Sequence, residues 1–183
     1  MEVTALFADV RGSTGLAENL PSGEFGQLLA RFYGTAARVV DRWDGLVDKF
    51  VGDEAVALFI PGFSGRDHAR SAVEAARELM RETGNDGGDA WIPLGAGVHT
   101  GRSYVGTVGE GDAVDFTAVG DTVNTAARLM TAAGAGEIVI SAATAAAAGL
   151  DTSRLEPRTL DLRGREEAVD AWVESLVPSA SPA

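Results

Sequence analysis

The sequence predicts an α+β sandwich with a ferredoxin-like βαββαβ core and additional strands toward the C-terminus. Three observations carry that expectation. Short apolar runs of β-capable residues alternate with two longer stretches of helical periodicity, in the order strand-helix-strand-strand-helix-strand. The two middle runs flank a Val51-Gly52-Asp53-Glu54 turn, as in a hairpin. No repeat or internal boundary divides the 183 residues, a length that suits one domain with a full core.

The first strand is the run Val3 to Ala8, ended by Asp9. A helix starts at Pro21-Ser22, carries Phe25, Leu28, Leu29, Phe32, Val39, Val40 and Trp43 at helical spacing, and stops at Gly45. Leu46 to Phe50 and Ala55 to Ile60 form the hairpin strands, the second stopped by Pro61-Gly62. A second helix runs from about Arg66 to Thr83, with Val73, Ala76 and Met80 facing inward, and Gly84-Asn85-Asp86-Gly87-Gly88 is a loop. A glycine-rich pair of strands follows, near Ile92 to His99 and Tyr104 to Val108, joined through Gly101-Arg102. Asp121 is expected to cap a third helix reaching about Ala133. Glu137 to Ser141 reads as a strand, and Ala142 to Ala148 as a short helix. Leu160 to Leu162 and Val169 to Val173 read as a terminal hairpin turning at Arg163-Gly164. The last residues, 177–183, have the composition of a disordered tail, leaving 1–176 as the domain.

Composition narrows the function. Hydrophobic residues make up 45% and charged residues 23%, the balance of a globular protein. A net charge of −12 argues against nucleic acid and anionic membrane surfaces as partners. It leaves room for a phosphate ligand, because metal ions and a few placed cations reverse the local potential. With no cysteine there is no disulfide, zinc-thiolate site or thiol nucleophile. No signal peptide or apolar run of membrane-spanning length is visible, so the expected compartment is the cytoplasm.

Asp9 and Asp53 are the first candidates for chemistry. Forty-four residues (53 − 9) separate them, enough for one helix and its loops, so both fall at one edge of a sheet. Two carboxylates there repel unless cations neutralise them. Taken alone, Asp9 reads first as a strand-end residue capping the Gly12-Ser13-Thr14 turn; the functional reading gains because those three residues supply backbone and hydroxyls suited to phosphate oxygens. Lys49 reads either as a ligand contact or as a charge that protects an edge strand. Arg102 reads as a solvated turn tip, and His99 as a core histidine with no role. Asn124 and Arg128 lie one helical turn apart, on a different face from Val123, Ala126, Ala127 and Met130. An amide and a guanidinium so placed suit a phosphate ester.

These segments together resemble the class III nucleotidyl cyclase catalytic domain. The matching blocks are Leu6 to Thr14, Asp48 to Glu54, Gly97 to Arg102 and Val119 to Leu129, and the resemblance covers Val3 to about Val173. It implies the class III cyclase fold and a phosphorus-oxygen lyase that turns ATP into 3′,5′-cyclic AMP and pyrophosphate. Asp9, Asp53 and the Val10 carbonyl match the ligands of two divalent ions, Mg2+ or Mn2+. Asn124 matches the ribose-orienting residue and Arg128 the residue stabilising the transition state. Arg102 matches a triphosphate contact, as does Arg163, which stands where many members have lysine. Lys49 and Thr117 match the two base-selecting positions. Lysine favours adenine, whose N1 accepts where guanine N1 carries hydrogen, and threonine marks the branch that lacks aspartate at the second position.

The resemblance further implies a head-to-tail homodimer. One protomer would offer Asp9, Asp53 and Arg102; its partner would offer Lys49, Thr117, Asn124 and Arg128. Two other readings stay open. One is a guanylyl or mixed-specificity cyclase. The other is a nucleotide-binding, dimerising regulatory module with little turnover.

Overall fold

A computed structural model describes residues 1–111, 113–161 and 168–176. Its elements, in chain order, are β1 (Glu2–Val10), α1 (Ser13–Asn19), α2 (Ser22–Arg42), β2 (Leu46–Val51), β3 (Glu54–Phe59), α3 (Pro61–Ser64), α4 (His68–Glu82), β4 (Leu94–Arg102), β5 (Tyr104–Glu110), β6 (Ala113–Val119), α5 (Asp121–Thr131), β7 (Glu137–Ser141), α6 (Ala142–Ala148), β8 (Glu156–Leu160) and β9 (Val169–Ser175). Seven strands form one sheet in the order β2-β3-β1-β4-β7-β9-β8. Its first four strands, with α2 and α4 between them in sequence, make the expected ferredoxin-like core. All pairings are antiparallel except β4 with β7.

Strand alternation builds both layers. From β1, Leu6, Ala8 and Val10 face one way, and Val3, Ala5 and Phe7 the other. From β3 and the residue after it, Ala55, Ala57 and Phe59 join the first set, and Val56, Leu58 and Ile60 the second. The first face is covered by α2 and α4 through Phe32, Val39, Val73, Ala76 and Met80. The second is covered by α5, through Ala126 and Met130. The glycines of β4 make that second contact possible. A Cβ on Gly97 would lie 2.2 Å from the backbone nitrogen of Met130 and 2.5 Å from the Ala126 carbonyl. The α5 backbone therefore rests directly on β4.

Several expectations need correction. β4 runs straight through Gly101 and Arg102, and it pairs with β1 and β7 rather than with β5. β5 leaves the sheet and pairs with β6, a strand the sequence reading omitted. That ribbon exposes Tyr104, Val108, Val114, Phe116 and Val119 and buries the consecutive Thr117 and Ala118, so burial does not alternate along it to betray a strand. Ser13 and Thr14 open a short helix instead of forming a turn. Gly120, at φ 141°, precedes α5 as its N-cap, where Asp121 was expected. The terminal hairpin pairs Glu156–Leu160 with β9, four residues earlier than expected. The Arg163-Gly164 turn and residues 177–183 lie outside the described residues. Among the described residues, no helix is long and apolar enough to cross a membrane.

Candidate functional site

The ends of β1 and β3 bring Asp9 and Asp53 together. Asp9 pairs in register with Glu54, and the Val10 N–H donates to the Asp53 carbonyl at 3.2 Å. The hairpin turn is also held from α2. Tyr33 stacks on Phe50 at 4.2 Å between ring centroids and donates its hydroxyl hydrogen to the Gly52 carbonyl. Burial pushes the Asp9 carboxyl above its usual range, with Arg11 opposing that shift and Asp53 adding to it. Burial likewise raises Glu54, helped by the charges of Asp9 and Asp53. A raised carboxylate costs stability at neutral pH, and cationic charge at this spot would relieve that cost.

The protein supplies one such cation itself. Arg11 donates to Asp9 Oδ2 and, through its other terminal nitrogen, to the carbonyls of Met130 at 3.4 Å and Ala133 at 3.2 Å, at the end of α5. Its Nε is buried with no hydrogen-bond partner among the described residues. Arg11 and Glu54 were given no role in the sequence reading, although Arg11 stands two residues from Asp9. Among the described residues, no group of three or more His, Cys, Asp or Glu side chains is placed to hold a metal alone. The donor set present is two hard carboxylates plus backbone carbonyls, which suits Mg2+ or Mn2+ once phosphate oxygens complete the shell. Beside Asp53 opens a cleft of about 340 Å³, lined by Ser13, Thr14, Phe25, Leu29 and Gly52 among others.

Lys49 lies elsewhere, on β2 at the sheet edge. Its Nζ is 3.2 Å from Asp48 Oδ2 and 3.3 Å from Asp115 Oδ2 on β6. Burial works to lower the Lys49 pKa, but the two carboxylates outweigh it and the net shift is upward. Thr117 sits two residues beyond Asp115, 9% exposed. Lys49 thus meets β6 through Asp115, which shares a ribbon face with Thr117. Asp48 and Asp115 were missed; the strand period linking 115 to 117 was the available signal.

Asn124 is exposed and Arg128 half-buried, and both stand on the side of α5 away from its buried Ala126, Leu129 and Met130. Neither side chain has a hydrogen-bond or ion-pair partner among the described residues. Since Asp9 and Arg11 meet α5 on its buried side, one chain does not converge these two residues on the carboxylate pair. Arg102 requires correction. It pairs with Glu2, whereas Asp9 pairs with Gly95, so Arg102 lies seven residues, roughly 23 Å, along β1 from Asp9. Antiparallel pairing puts it at the opposite end of the sheet, and it does not join Asp9 and Asp53. Arg163 lies outside the described residues.

Residues 1–175 match the profile of the adenylate and guanylate cyclase catalytic domain. An uncharacterised protein of Mycobacterium tuberculosis is 38% identical over 125 residues, 68% of this chain and 23% of that protein. An adenylate cyclase of Anabaena cylindrica is 29% identical over 181 residues, 93% of this chain and 36% of the relative. The chain therefore spans about a quarter to a third of these relatives. Two solved structures superpose closely. The guanylyl cyclase Cya2 gives a TM-score of 0.80 at 30% identity, covering 94% of this chain and 91% of its own. The adenylyl cyclase CyaB from P. aeruginosa gives 0.78 at 28% identity, with 94% and 92% covered.

Proposed function

The chain belongs to the adenylate and guanylate cyclase catalytic-domain family, and from that premise we propose that residues 1–176 form an adenylate cyclase domain working as a head-to-tail homodimer. The observation that carries this reading is the Asp9–Asp53 pair, held at adjoining strand ends with a carboxyl pKa raised by burial and mutual charge. Two Mg2+ or Mn2+ ions held by Asp9, Asp53 and the Val10 carbonyl would neutralise triphosphate charge and acidify the ribose 3′-hydroxyl. The 3′-oxygen attacks the α-phosphorus, its proton passes to solvent, and the bond to the β-phosphate oxygen breaks to release pyrophosphate.

The chain's own residues position and neutralise. Gly12, Ser13 and Thr14, beside the cleft, offer backbone and hydroxyl groups to the triphosphate, and Arg163 adds a charge to it. Asn124 orients the ribose, and the Arg128 guanidinium faces the charge that develops on the phosphorus. Because these two face away from Asp9 within one chain, they serve the site of the partner protomer. The exposed apolar ribbon residues Tyr104, Val114, Phe116 and Val119 support such an association. Arg102, at the far end of the sheet, has no part in this reading.

Lys49 supports ATP as substrate, with Thr117 as the second base-selecting group of the threonine branch. The similarity to a guanylyl cyclase at 30% identity favours GTP as a second reading. The deciding experiment measures cyclic product from ATP and GTP, with Mg2+ or Mn2+, over a range of protein concentrations. Cyclic AMP, with specific activity rising with concentration, is expected, and Asp9→Asn or Asp53→Asn should remove it. Turnover persisting in both variants would overturn the metal assignment. A folded dimer giving no cyclic product would point to a nucleotide-binding module instead.

A further inference from the structure

Arg11 lies in a slot between the Asp9 carboxylate and the end of α5, and of its four side-chain acceptors only one belongs to the carboxylate pair. Its backbone N–H is fixed by the Pro93 carbonyl at 2.8 Å. The side chain crosses Gly95, where an added Cβ would come within 3.1 Å of Arg11 Nε and of the Ala133 and Gly134 carbonyls. Glycine at this point of β4 keeps the slot open. One terminal nitrogen donates to the Met130 and Ala133 carbonyls, at 3.4 and 3.2 Å. The other donates to Asp9 Oδ2 and lies 3.0 Å from Met130 Sδ. A helix C-terminus presents spare carbonyls and a partial negative charge, so the end of α5 is a stable seat for a cation. The guanidinium has that seat whether or not it also holds Asp9.

We propose that Arg11 is a resident counter-cation of the carboxylate pair: it holds Asp9 before any metal arrives and surrenders Oδ2 when a divalent ion takes that carboxylate. The proposal rests on the reading of Asp9 and Asp53 as metal ligands. Asp9 pairs in register with Glu54, next to Asp53, so three carboxyl groups crowd one sheet edge and repel one another. The Asp9 and Arg11 side chains are each only 21% exposed, and water screens their attraction only in part. A divalent ion on Asp9 meets the guanidinium as a like charge at close range. Free Mn2+ or Mg2+ is therefore held weakly while the nucleotide is absent. A triphosphate brings the negative charge that offsets Arg11, so metal and nucleotide load together. Arg11 then remains on the α5 carbonyls, and letting go of Asp9 costs it one bond of four.

The test measures Mn2+ uptake without nucleotide, by electron paramagnetic resonance of the free ion. It compares the full chain with Arg11→Gln, Arg11→Lys, Asp9→Asn and the double variant Arg11→Gln/Asp9→Asn. Arg11→Gln removes the charge and keeps a donor; it should bind Mn2+ about tenfold more tightly than wild type, the scale of one cation repelling a divalent ion through water. Arg11→Lys keeps the charge and should stay within about threefold of wild type. Asp9→Asn should abolish the gain. Urea unfolding supplies a second readout: Arg11→Gln should lower the midpoint in metal-free buffer, and saturating Mn2+ should narrow that gap. An arginine with a merely structural role would cost the same midpoint with and without Mn2+ and would leave uptake unchanged or weaker, which would overturn the proposal. Equal uptake by wild type and Arg11→Gln, or none by either, overturns it as well. If that equal uptake is lost in Asp9→Asn, competition fails while the metal reading survives. If uptake ignores Asp9→Asn, both fall.

Discussion

Replacing Gly97 by alanine should uncouple the helix that carries Asn124 and Arg128 from the sheet that carries Asp9. An added Cβ would lie 2.2 Å from Met130 N, 2.5 Å from the Ala126 carbonyl oxygen and 2.8 Å from the Leu129 carbonyl carbon. Ordinary non-bonded contacts of this kind fall near 3.4 Å, so α5 must retreat by about 1 Å. All three obstacles are backbone, and no rotamer change can relieve them. Overpacking against rigid elements of this kind costs about 3 kcal/mol. In urea, where a domain of this size loses about 2 kcal/mol per molar, the midpoint should fall by about 1.5 M. Gly26→Ala is the matched control: nothing lies within 4 Å of its added Cβ, and it sits inside α2. Relieving glycine's excess chain entropy in a helix should stabilise that variant by about 0.5–1 kcal/mol, a shift of opposite sign. Both are compared with wild type at one protein concentration, because a dimer links unfolding to concentration. A Gly97→Ala midpoint within about 0.3 M of wild type would refute the direct seating of α5 on β4.

Three further outcomes follow from other parts of the structure. Mixing Asp53→Ala chains with Arg128→Ala chains should recover up to about a quarter of wild-type turnover, since a random mixture forms half heterodimers with one intact site each; no recovery with heterodimers demonstrated by mass spectrometry would count against the shared site. Burial alone would raise the Glu137 carboxyl, but the Gly134 N–H at 2.8 Å and Arg158 at 3.2 Å outweigh it and hold the carboxyl below its ordinary 4.5. Its contribution is therefore present above pH 4.5 and lost as pH falls through the lower folded value, so the stability gap between wild type and Glu137→Gln should narrow below about pH 4.5. A gap constant from pH 7 to pH 3 would contradict that. Finally, Arg77 joins α4 to β9 through both oxygens of Glu174, with its Nε 3.0 Å from each. Arg77→Ala should cost about 2 kcal/mol in chemical denaturation, since it strands a mostly buried carboxylate; a loss under about 0.5 kcal/mol would show that this pair does not brace the α4–β9 contact.

The ferredoxin-like core was legible because its determinants are local and periodic. Val3 to Val10 and Ala55 to Ile60 alternate between two buried faces, and α2 and α4 show strong helical spacing, so strand and helix periods did not compete. The carboxylate pair was legible for a related reason. Asp9 and Asp53 each interrupt an apolar run at a strand end, and the connection through α1 and α2 brings such ends together. What escaped the reading lacks a one-sided pattern. The β5–β6 ribbon projects from the sheet and keeps large apolar residues in solvent, so alternation carried no information about burial.

By itself, then, the amino-acid sequence determined the order of the core elements, the two carboxylates at the sheet end, and the Asn124–Arg128 face of α5. Tertiary structure alone decided which of these meet. Antiparallel register sends Arg102 to the far end of β1 from Asp9, and a bulge turns Asp48 and Lys49 toward each other. The same long-range packing brings Arg11 to Asp9 and Asp115 to Lys49. Residue type and local spacing select the elements, whereas strand pairing and layer contacts join groups dozens of residues apart, and no local period encodes those distances.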